Sequence, residues 1–316
     1  MANNKSRKNG FGILLKILLA VFLLLLLLCV IKTCKDCQDN RNVTTVKQRT
    51  GYQPENERWD SIPKVIPPYK EEDLDSLADK VSLEHLFPPI GDQNPHGTCV
   101  AWAVGYNLKT ALNAIDNHWD SLQLADPANQ TSPKDLYGGI PASEKDRTDC
   151  QGTSFESAFK VLMNNGASNM KEVPYTNIDV CKTEIKGDTS NKIAGFNHII
   201  DSSNVVTMDG QTFCLPSVRQ IKAYLKDTIP LAISARLGDN FKEYYGDDVI
   251  KYDTYIGRDQ QHAYHAMVLS GYDDSKHAFR VRNSWGTEWR DNGSIWVDYD
   301  FFMNSFCRAV FMASNH

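Results

Sequence analysis

The sequence predicts an α+β fold, because helical patterns dominate the first half of its globular part and strand patterns the second half. Residues 99–115 carry apolar side chains at the spacing of one helix face. After Pro230 the sequence changes to short β-branched and aromatic runs, separated by Gly, Asp and Asn turns. Helices followed by strands favour two subdomains, and a cleft between them is a natural place for a functional site.

Local signals define the individual elements. Thr153 and Glu156 match a capping box that opens a helix, and Gly166 is expected to end that helix. Ser217 and Gln220 match a second capping box, before another helix. Strands are predicted over residues 231–237, 266–272, 278–285 and 294–299.

Composition and charge exclude several classes of protein. The chain has 316 residues, of which 41% are hydrophobic and 23% charged, so it is neither disordered nor collagen-like. Its net charge is −5 and it has no long basic block, so nucleic acid is not an expected partner. Residues 1–37 carry a charge of +5, which leaves −10 for the rest. This asymmetry favours a membrane-targeting end followed by an acidic, soluble end.

Residues 11–31 are an apolar run that follows a cationic N-terminal segment, residues 1–10. As a helix this run would span roughly 30 Å, the thickness of a bilayer core. No small-residue cleavage site follows it, which favours a retained signal anchor over a cleaved signal peptide. We therefore expect an N-terminal transmembrane helix in a single-pass membrane protein, with its C-terminal domain extracytoplasmic. The alternative is a protein secreted after signal cleavage.

The remaining chain divides into two parts. Residues 32–80 are polar, with scattered prolines and few large apolar side chains, which is typical of a stalk or linker. Globular patterning begins near Val81, so residues 81–316 are predicted to form the folded domain.

Four side chains of this domain complement one another chemically. Cys99 stands at the first turn of a helix, where N–H groups and the helix dipole favour a thiolate. The imidazole of His265 could hold the thiol proton and later pass it to a leaving amine. Asn283 could accept a hydrogen bond from the other ring nitrogen, and Gln93 could donate one to a developing oxyanion. Taken singly, each residue also has an ordinary structural explanation.

The order and spacing of these residues resemble those of the papain-like cysteine peptidases. Gln93 stands six residues before Cys99, as the family pattern requires of its Gln and its nucleophile. The segment from His265 to Tyr272 is similar to the family's His strand, and the Asn-Ser-Trp-Gly tetrad begins at Asn283. The resemblance covers roughly residues 82–310.

The resemblance implies a papain-like two-subdomain fold, with a helical subdomain that carries Cys99 and a β-barrel-like subdomain that carries His265 and Asn283. It implies hydrolysis of protein or peptide substrates through an S-acyl-enzyme, without a metal or an organic cofactor. The implied catalytic residues are Cys99 as nucleophile, His265 as acid/base, Asn283 as the His-orienting residue and Gln93 as oxyanion-hole donor. The implied substrate-binding residues are Ser234, Tyr264, Ala266 and Trp285, of which Trp285 would also shield the Asn283–His265 hydrogen bond.

Several features depart from the family pattern. His265 and Asn283 follow Cys99 by 166 and 184 residues, against the family's roughly 130–150. An insertion over residues 118–148 would explain the difference. No full-length inhibitory prosegment is recognisable in residues 38–80. A family disulfide joins segments comparable to those around Cys150 and Cys181, which implies a Cys150–Cys181 bridge in an oxidising compartment.

Two other interpretations remain open. His96, Cys99, His262 and His265 would offer four metal ligands at acceptable spacing, although a metal site leaves Gln93 and the Asn-Ser-Trp-Gly tetrad unexplained. A membrane-tethered binding or scaffold protein on an inactive peptidase fold is the other alternative. The presence of all four catalytic residue types argues against it.

Overall fold

A computed structural model describes residues 49–316, apart from residues 55–56, 146–149, 177–186, 209, 244–248 and 255–261. The cationic segment and the predicted membrane segment, residues 11–31, therefore lie outside the described residues. Among the residues that are described, no helix is both long enough and apolar enough to span a bilayer.

The order of elements is that of an α+β protein, with most helices before most strands. The helices are α1 (Glu71–Asp75), α2 (Cys99–Ala101, continued by Trp102–Lys109 and Thr110–Asn117), α3 (Ser121–Ala125), α4 (Pro133–Gly139), α5 (Phe155–Asn164), α6 (Val218–Lys226), α7 (Asp239–Glu243) and α8 (Tyr299–Phe301, continued by Phe302–Phe306), with short 3₁₀ turns at Glu84–Leu86 and Ala142–Glu144. The strands are β1 (Lys64–Val65), β2 (Lys80–Ser82), β3 (Gly195–Ile199), β4 (Val205–Met208), β5 (Gln211–Cys214), β6 (Leu231–Leu237), β7 (Ala263–Asp273), β8 (Ala278–Arg282), β9 (Ser294–Asp298) and β10 (Cys307–Ser314).

Helix α2 is the predicted helix that begins at Cys99. Its middle piece, Trp102–Lys109, has π-helical hydrogen bonding, and every residue of that piece is buried. The helix ends at Asn117, where His118 adopts a left-handed conformation with φ 54°. Because α2 is buried along most of its length, it fixes Cys99 firmly at its amino end.

Helix α5 forms where predicted, but its cap differs from the predicted one. Ser154, not Thr153, is the N-cap, and its side chain accepts from the N–H of Ser157. The carboxylate of Glu57 accepts from the N–H groups of Phe155 and Glu156, at 3.0 and 2.7 Å. The free N–H groups at the start of α5 are thus satisfied partly by a distant residue, which local sequence cannot indicate. The second capping box, at the start of α6, is confirmed.

Eight strands form one sheet in the order β1-β3-β10-β6-β7-β8-β9, with β2 paired to β7, while β4 and β5 form a separate hairpin. Strand β6 has the predicted bounds, and β7 begins earlier than predicted. Strand β8 ends at Arg282 rather than at Trp285. The chain turns away there because two of its residues bond to the loop before Cys99. The N–H of Gln93 donates to the carbonyl oxygen of Ser284 at 2.9 Å, and the N–H of Gly286 donates to that of Gly91 at 3.0 Å.

Residues 49–80 differ from the predicted stalk, since they belong to the compact unit formed by residues 48–316. Tyr52 and Ile62 are buried in its core. Strand β1 pairs with β3 and strand β2 pairs with β7. Buried apolar side chains and backbone pairing therefore both attach this polar stretch to the domain.

Candidate active site

Cys99 occupies the first position of α2 and is completely buried. Backbone N–H groups of Ala266, from β7, and of Gly51 lie beside its sulfur. The amino end of α2 and strand β7 thus meet at the thiol. Gly51 comes from the stretch that sequence analysis assigned to a linker.

His265 and Asn283 are joined by a hydrogen bond of 2.7 Å between Nε2 and Oδ1. A carbonyl oxygen only accepts, so Nε2 carries the proton and Nδ1 of the neutral ring is left as an acceptor. Nδ1 is buried and has no hydrogen-bond partner among the described residues. The ring of Trp285 contacts the imidazole, with centroids 4.7 Å apart, on the side where it was predicted to shield the His265–Asn283 hydrogen bond.

Gln93 presents its amide nitrogen to a backbone carbonyl oxygen. The hydroxyl of Ser284 donates to Oε1 of Gln93 at 2.7 Å. The opposite end faces the carbonyl oxygens of Arg49 and His96, which only accept, so that end is the NH₂ group. That NH₂ group donates to the carbonyl oxygen of Arg49 at 3.0 Å, and Nε1 of Trp285 donates to the same oxygen at 2.9 Å. A carbonyl of the chain itself therefore receives the hydrogen bond that we predicted for an oxyanion.

Residues 49–53, here named the covering segment, extend across this site. The N–H of Thr153 donates to Gly51 O at 2.9 Å, and the N–H of Gln53 donates to Thr153 O at 3.1 Å. These bonds hold Tyr52 beside Thr153 in a parallel bridge. The covering segment is therefore bound largely through its backbone, as a short extended peptide would be.

Only glycine fits at position 51 of the covering segment. A Cβ atom there would lie 1.8 Å from the carbonyl oxygen of Gly97, two residues before Cys99. Tyr52, the next residue, is 4% exposed. Its ring packs edge-to-face on that of Phe155, with the ring centroids 5.1 Å apart. Local sequence reasoning missed this segment because its one signal is an isolated Gly-Tyr pair in polar surroundings.

Burial controls the charge state of the covered site. It raises the pKa of the Cys99 thiol to about 12, although the N–H groups of Ala266 and Gly51 act in the opposite direction. It lowers the pKa of His265 to about 4, against the hydrogen bond to Asn283. With the segment in place, burial favours the neutral thiol of Cys99 and the neutral imidazole of His265 near pH 7.

Three of the four predicted substrate-binding residues, Ser234, Tyr264 and Ala266, lie on β6 and β7, whereas Trp285 lies in the loop after β8. Ser234 pairs with Ala266 and Arg236 pairs with Tyr264 across the two strands, so their side chains share one face of the sheet. The phenol of Tyr52 lies beside the Ser234 hydroxyl on this face. A side chain of the covering segment thus contacts the predicted pocket.

The four candidate metal ligands His96, Cys99, His262 and His265 are not brought into one cluster. Within the described part of the chain, the one group with suitable geometry is His277, Asp298 and Asp300, two of which are exposed.

Cys150 is buried, and the free cysteines among the described residues are Cys99, Cys214 and Cys307. Its predicted partner, Cys181, lies outside the described residues, so the Cys150–Cys181 bridge stays a prediction.

A buried cysteine at a helix start, an imidazole oriented by an amide and a second amide on a carbonyl oxygen are the groups that a thiol hydrolase would require. The chain belongs to the papain family of cysteine proteases, whose family description matches residues 80–309.

Named relatives agree with this family. The chain is 27% identical over 210 residues to cathepsin L 2 of Paramecium tetraurelia, which covers 66% of this chain and 55% of the relative. It is 24% identical over 257 residues to the probable cysteine protease RD21C of Arabidopsis thaliana. This match covers 76% of this chain and 48% of the relative. The chain thus spans about half the length of these relatives.

Solved structures share the fold. Xylellain, a cysteine protease from Xylella fastidiosa, superposes with a TM-score of 0.65 at 20% identity and covers 85% of this chain and 97% of its own. Procathepsin B S9 of Trypanosoma congolense superposes with a TM-score of 0.62 at 15% identity. The superposition covers 87% of this chain and 90% of that one. The predicted papain-like α+β fold is confirmed.

Proposed function

We propose that the protein is a cysteine peptidase that hydrolyses peptide bonds through an S-acyl-enzyme on Cys99. The observation that carries this proposal is that the site already binds a peptide backbone. The carbonyl oxygen of Arg49 accepts from both Gln93 and Trp285, and the N–H of Gly51, two residues later, lies beside the Cys99 sulfur.

In the proposed reaction the Cys99 thiolate attacks the carbonyl carbon of the substrate, and the imidazole of His265 holds the thiol proton. The oxyanion accepts a hydrogen bond from Gln93. Collapse of this intermediate breaks the C–N bond, and His265 gives its proton to the departing amine. The same imidazole then takes a proton from water, whose oxygen attacks the thioester and releases the acid and the Cys99 thiol.

The covering segment has to leave the site before a substrate can bind. While it is bound, Cys99 and His265 are 0% exposed. Departure of the segment would admit water and restore the ion pair of thiolate and imidazolium. We infer that the structure represents a latent form, although no full-length prosegment pattern is recognisable in residues 38–80.

The test is digestion of a denatured protein by the purified full-length chain, compared with a Gly51→Ala variant that should expose the cleft. Peptide products are read by mass spectrometry, with and without a metal chelator. We expect cleavage that is insensitive to the chelator. Loss of cleavage with the chelator would favour a metal site, and no cleavage by either protein would favour a binding or scaffold protein.

Gln93→Ala should lower the turnover number about 10²–10³-fold, because a single oxyanion donor stabilises the transition state by about 2.7–4 kcal/mol. The measurement is steady-state hydrolysis of a fluorogenic peptide, with Gly51→Ala as the parent protein. Gln123→Ala is the control, since Gln123 is an exposed capping residue of α3 and should leave the rate unchanged. An unchanged rate in Gln93→Ala would remove Gln93 from the oxyanion site.

Glu57→Gln should remove part of the pH dependence of stability. Burial raises the pKa of Glu57 to about 7 from its ordinary 4.5, and the nearby Glu156 adds to this rise. The folded protein therefore holds this proton more tightly than the unfolded chain. The stabilisation is complete below pH 4.5 and is lost as the pH rises through about 7.

The measurement for Glu57 is the free energy of unfolding by urea at about pH 4.5 and about pH 7.5, on either side of this interval. Wild type should lose more stability than Glu57→Gln between the two conditions. Glu72→Gln, at an exposed position of α1, should behave as wild type. Equal pH slopes for wild type and Glu57→Gln would show that the carboxyl group keeps its ordinary pKa.

We also infer that residues 11–31 anchor the protein in a membrane, with residues 81–316 outside the cytoplasm. The uncharged run of residues 17–31 and the absence of a small-residue cleavage site support this proposal. External protease on intact cells should remove the C-terminal domain, and the full-length chain should stay in the membrane fraction after carbonate washing. A protected domain would reverse the orientation, and a soluble, shortened chain would indicate a cleaved signal peptide.

A further inference from the structure

The pocket that Tyr52 fills has an arginine on its wall that the reaction does not use. Strands β6 and β10 pair with a register shift between Cys307 and Ala309, opposite Ser234. The shift is a β-bulge that gives Arg308 no partner on β6, and a bulge of this kind re-aims a side chain. Arg308 accordingly lies against the ring of Tyr264, at 4.5 Å from its centroid, on the same face as Ser234.

Arg308 is buried, at 5% exposure. Its guanidinium lies between Tyr264 and the ring of Phe213, at 4.6 Å from the latter centroid. Its Nη2 donates to the amide oxygen of Gln211, a neutral acceptor. Among the described residues no carboxylate comes within 4.0 Å of this guanidinium. A buried cation that is compensated only by a neutral acceptor and ring faces is costly, because its desolvation is only partly offset.

Two donors at this end of the pocket also lack acceptors. Nε of Arg308 and Oγ of Ser234 are both buried without a hydrogen-bond partner in the described part of the chain. The phenol of Tyr52 lies beside the Ser234 hydroxyl and close enough to feel the charge of Arg308, but it offers neither group a carboxylate. The nearby acidic group, Glu57, lies beside that phenol. It is held by the N–H groups at the start of α5 and is not bonded to Arg308.

We propose that Arg308 makes this pocket select a substrate side chain that carries a carboxylate, at the residue that takes the place of Tyr52. An Asp or Glu side chain has several acceptor lone pairs, enough for Nε of Arg308 and the hydroxyl of Ser234 together. It would supply the negative charge that the wall lacks. A neutral aliphatic or aromatic side chain would leave both donors unpaired. This inference rests on the proposed peptidase function and names its substrate class.

The experiment compares fluorogenic peptides that differ at one position only, the second residue before the cleaved bond. This residue is Glu, Gln, Leu or Tyr. The full-length Gly51→Ala protein is used, so that the cleft is open. We expect kcat/KM for the Glu peptide to exceed that for the Gln peptide by at least about tenfold, as charged hydrogen bonds allow. Arg308→Met should bring the Glu/Gln ratio to about one, and Arg308→Lys should keep part of the preference.

The outcomes separate the two proposals. A Glu/Gln ratio near one, or a preference for Leu or Tyr, overturns the role of Arg308 while the peptidase function stands. This role is also overturned if Arg308→Met folds and keeps the preference. Because the first ratio is measured without a change at position 308, the inference stays testable if that variant fails to fold. No hydrolysis of any peptide and no reaction of Cys99 with a peptide epoxide would overturn the peptidase function and this inference with it.

Discussion

Replacing Cys99 with alanine is expected to abolish peptide hydrolysis and to leave the domain folded. The sulfur is the nucleophile in the proposed reaction, and no hydroxyl of the described residues bonds to His265 in its place. Loss of a nucleophile in a comparable triad costs about 10⁶-fold in turnover, so kcat should fall at least about 10⁴-fold. The substitution removes a single buried atom, so the melting temperature should change by only a few degrees.

The control for Cys99→Ala is Cys214→Ala, which removes a half-buried free cysteine at the end of β5. It should keep the parental activity. Full turnover by a folded Cys99→Ala protein would exclude Cys99 as the nucleophile.

Gly51→Ala is expected to open the site. The added methyl group would overlap the carbonyl of Gly97, and this backbone group cannot move without disturbing the start of α2. Overpacking of this kind costs roughly 1–3 kcal/mol, all of it borne by the bound form of the covering segment. Alkylation of Cys99 by iodoacetamide should therefore become about tenfold faster or more, and peptide hydrolysis should rise with it.

Gly195→Ala is the matched control for Gly51→Ala. Position 195 lies at the start of β3, and a Cβ atom there would meet nothing within 4 Å. Its alkylation rate should equal that of wild type. If Gly51→Ala also reacts at the wild-type rate, the covering segment does not limit access to Cys99.

Sequence reasoning succeeded where side-chain patterns carry the information. Helix α2 was predictable because its apolar residues recur at helical spacing, and β6 because a short, largely apolar run follows Pro230. Strand β10 was missed because no turn residue separates it from the aromatic run Phe301–Phe306. Its identity as a strand comes from pairing with β3 and β6, which are distant in sequence.

The site was predictable to a similar extent, and for a similar reason. Gln93, Cys99, His265 and Asn283 are chemical groups whose order along the chain matches a family pattern. The covering segment acts through the Arg49 carbonyl and the missing Cβ of Gly51, and backbone groups leave no such pattern. Arg308 was missed because a bulge, not its position in an alternating strand, brings it to the pocket.

In the proposed function, Cys99 is a nucleophile covered by residues 49–53. The most direct test is to react the full-length chain with an irreversible thiol-directed peptide epoxide and to map the adduct by mass spectrometry. Wild type and Gly51→Ala are compared under identical conditions. We expect a single adduct on Cys99, formed slowly in wild type and at least about tenfold faster in Gly51→Ala. An adduct on Cys214 or Cys307 with Cys99 unmodified, or no adduct in either protein, would contradict the assignment of Cys99 as the nucleophile.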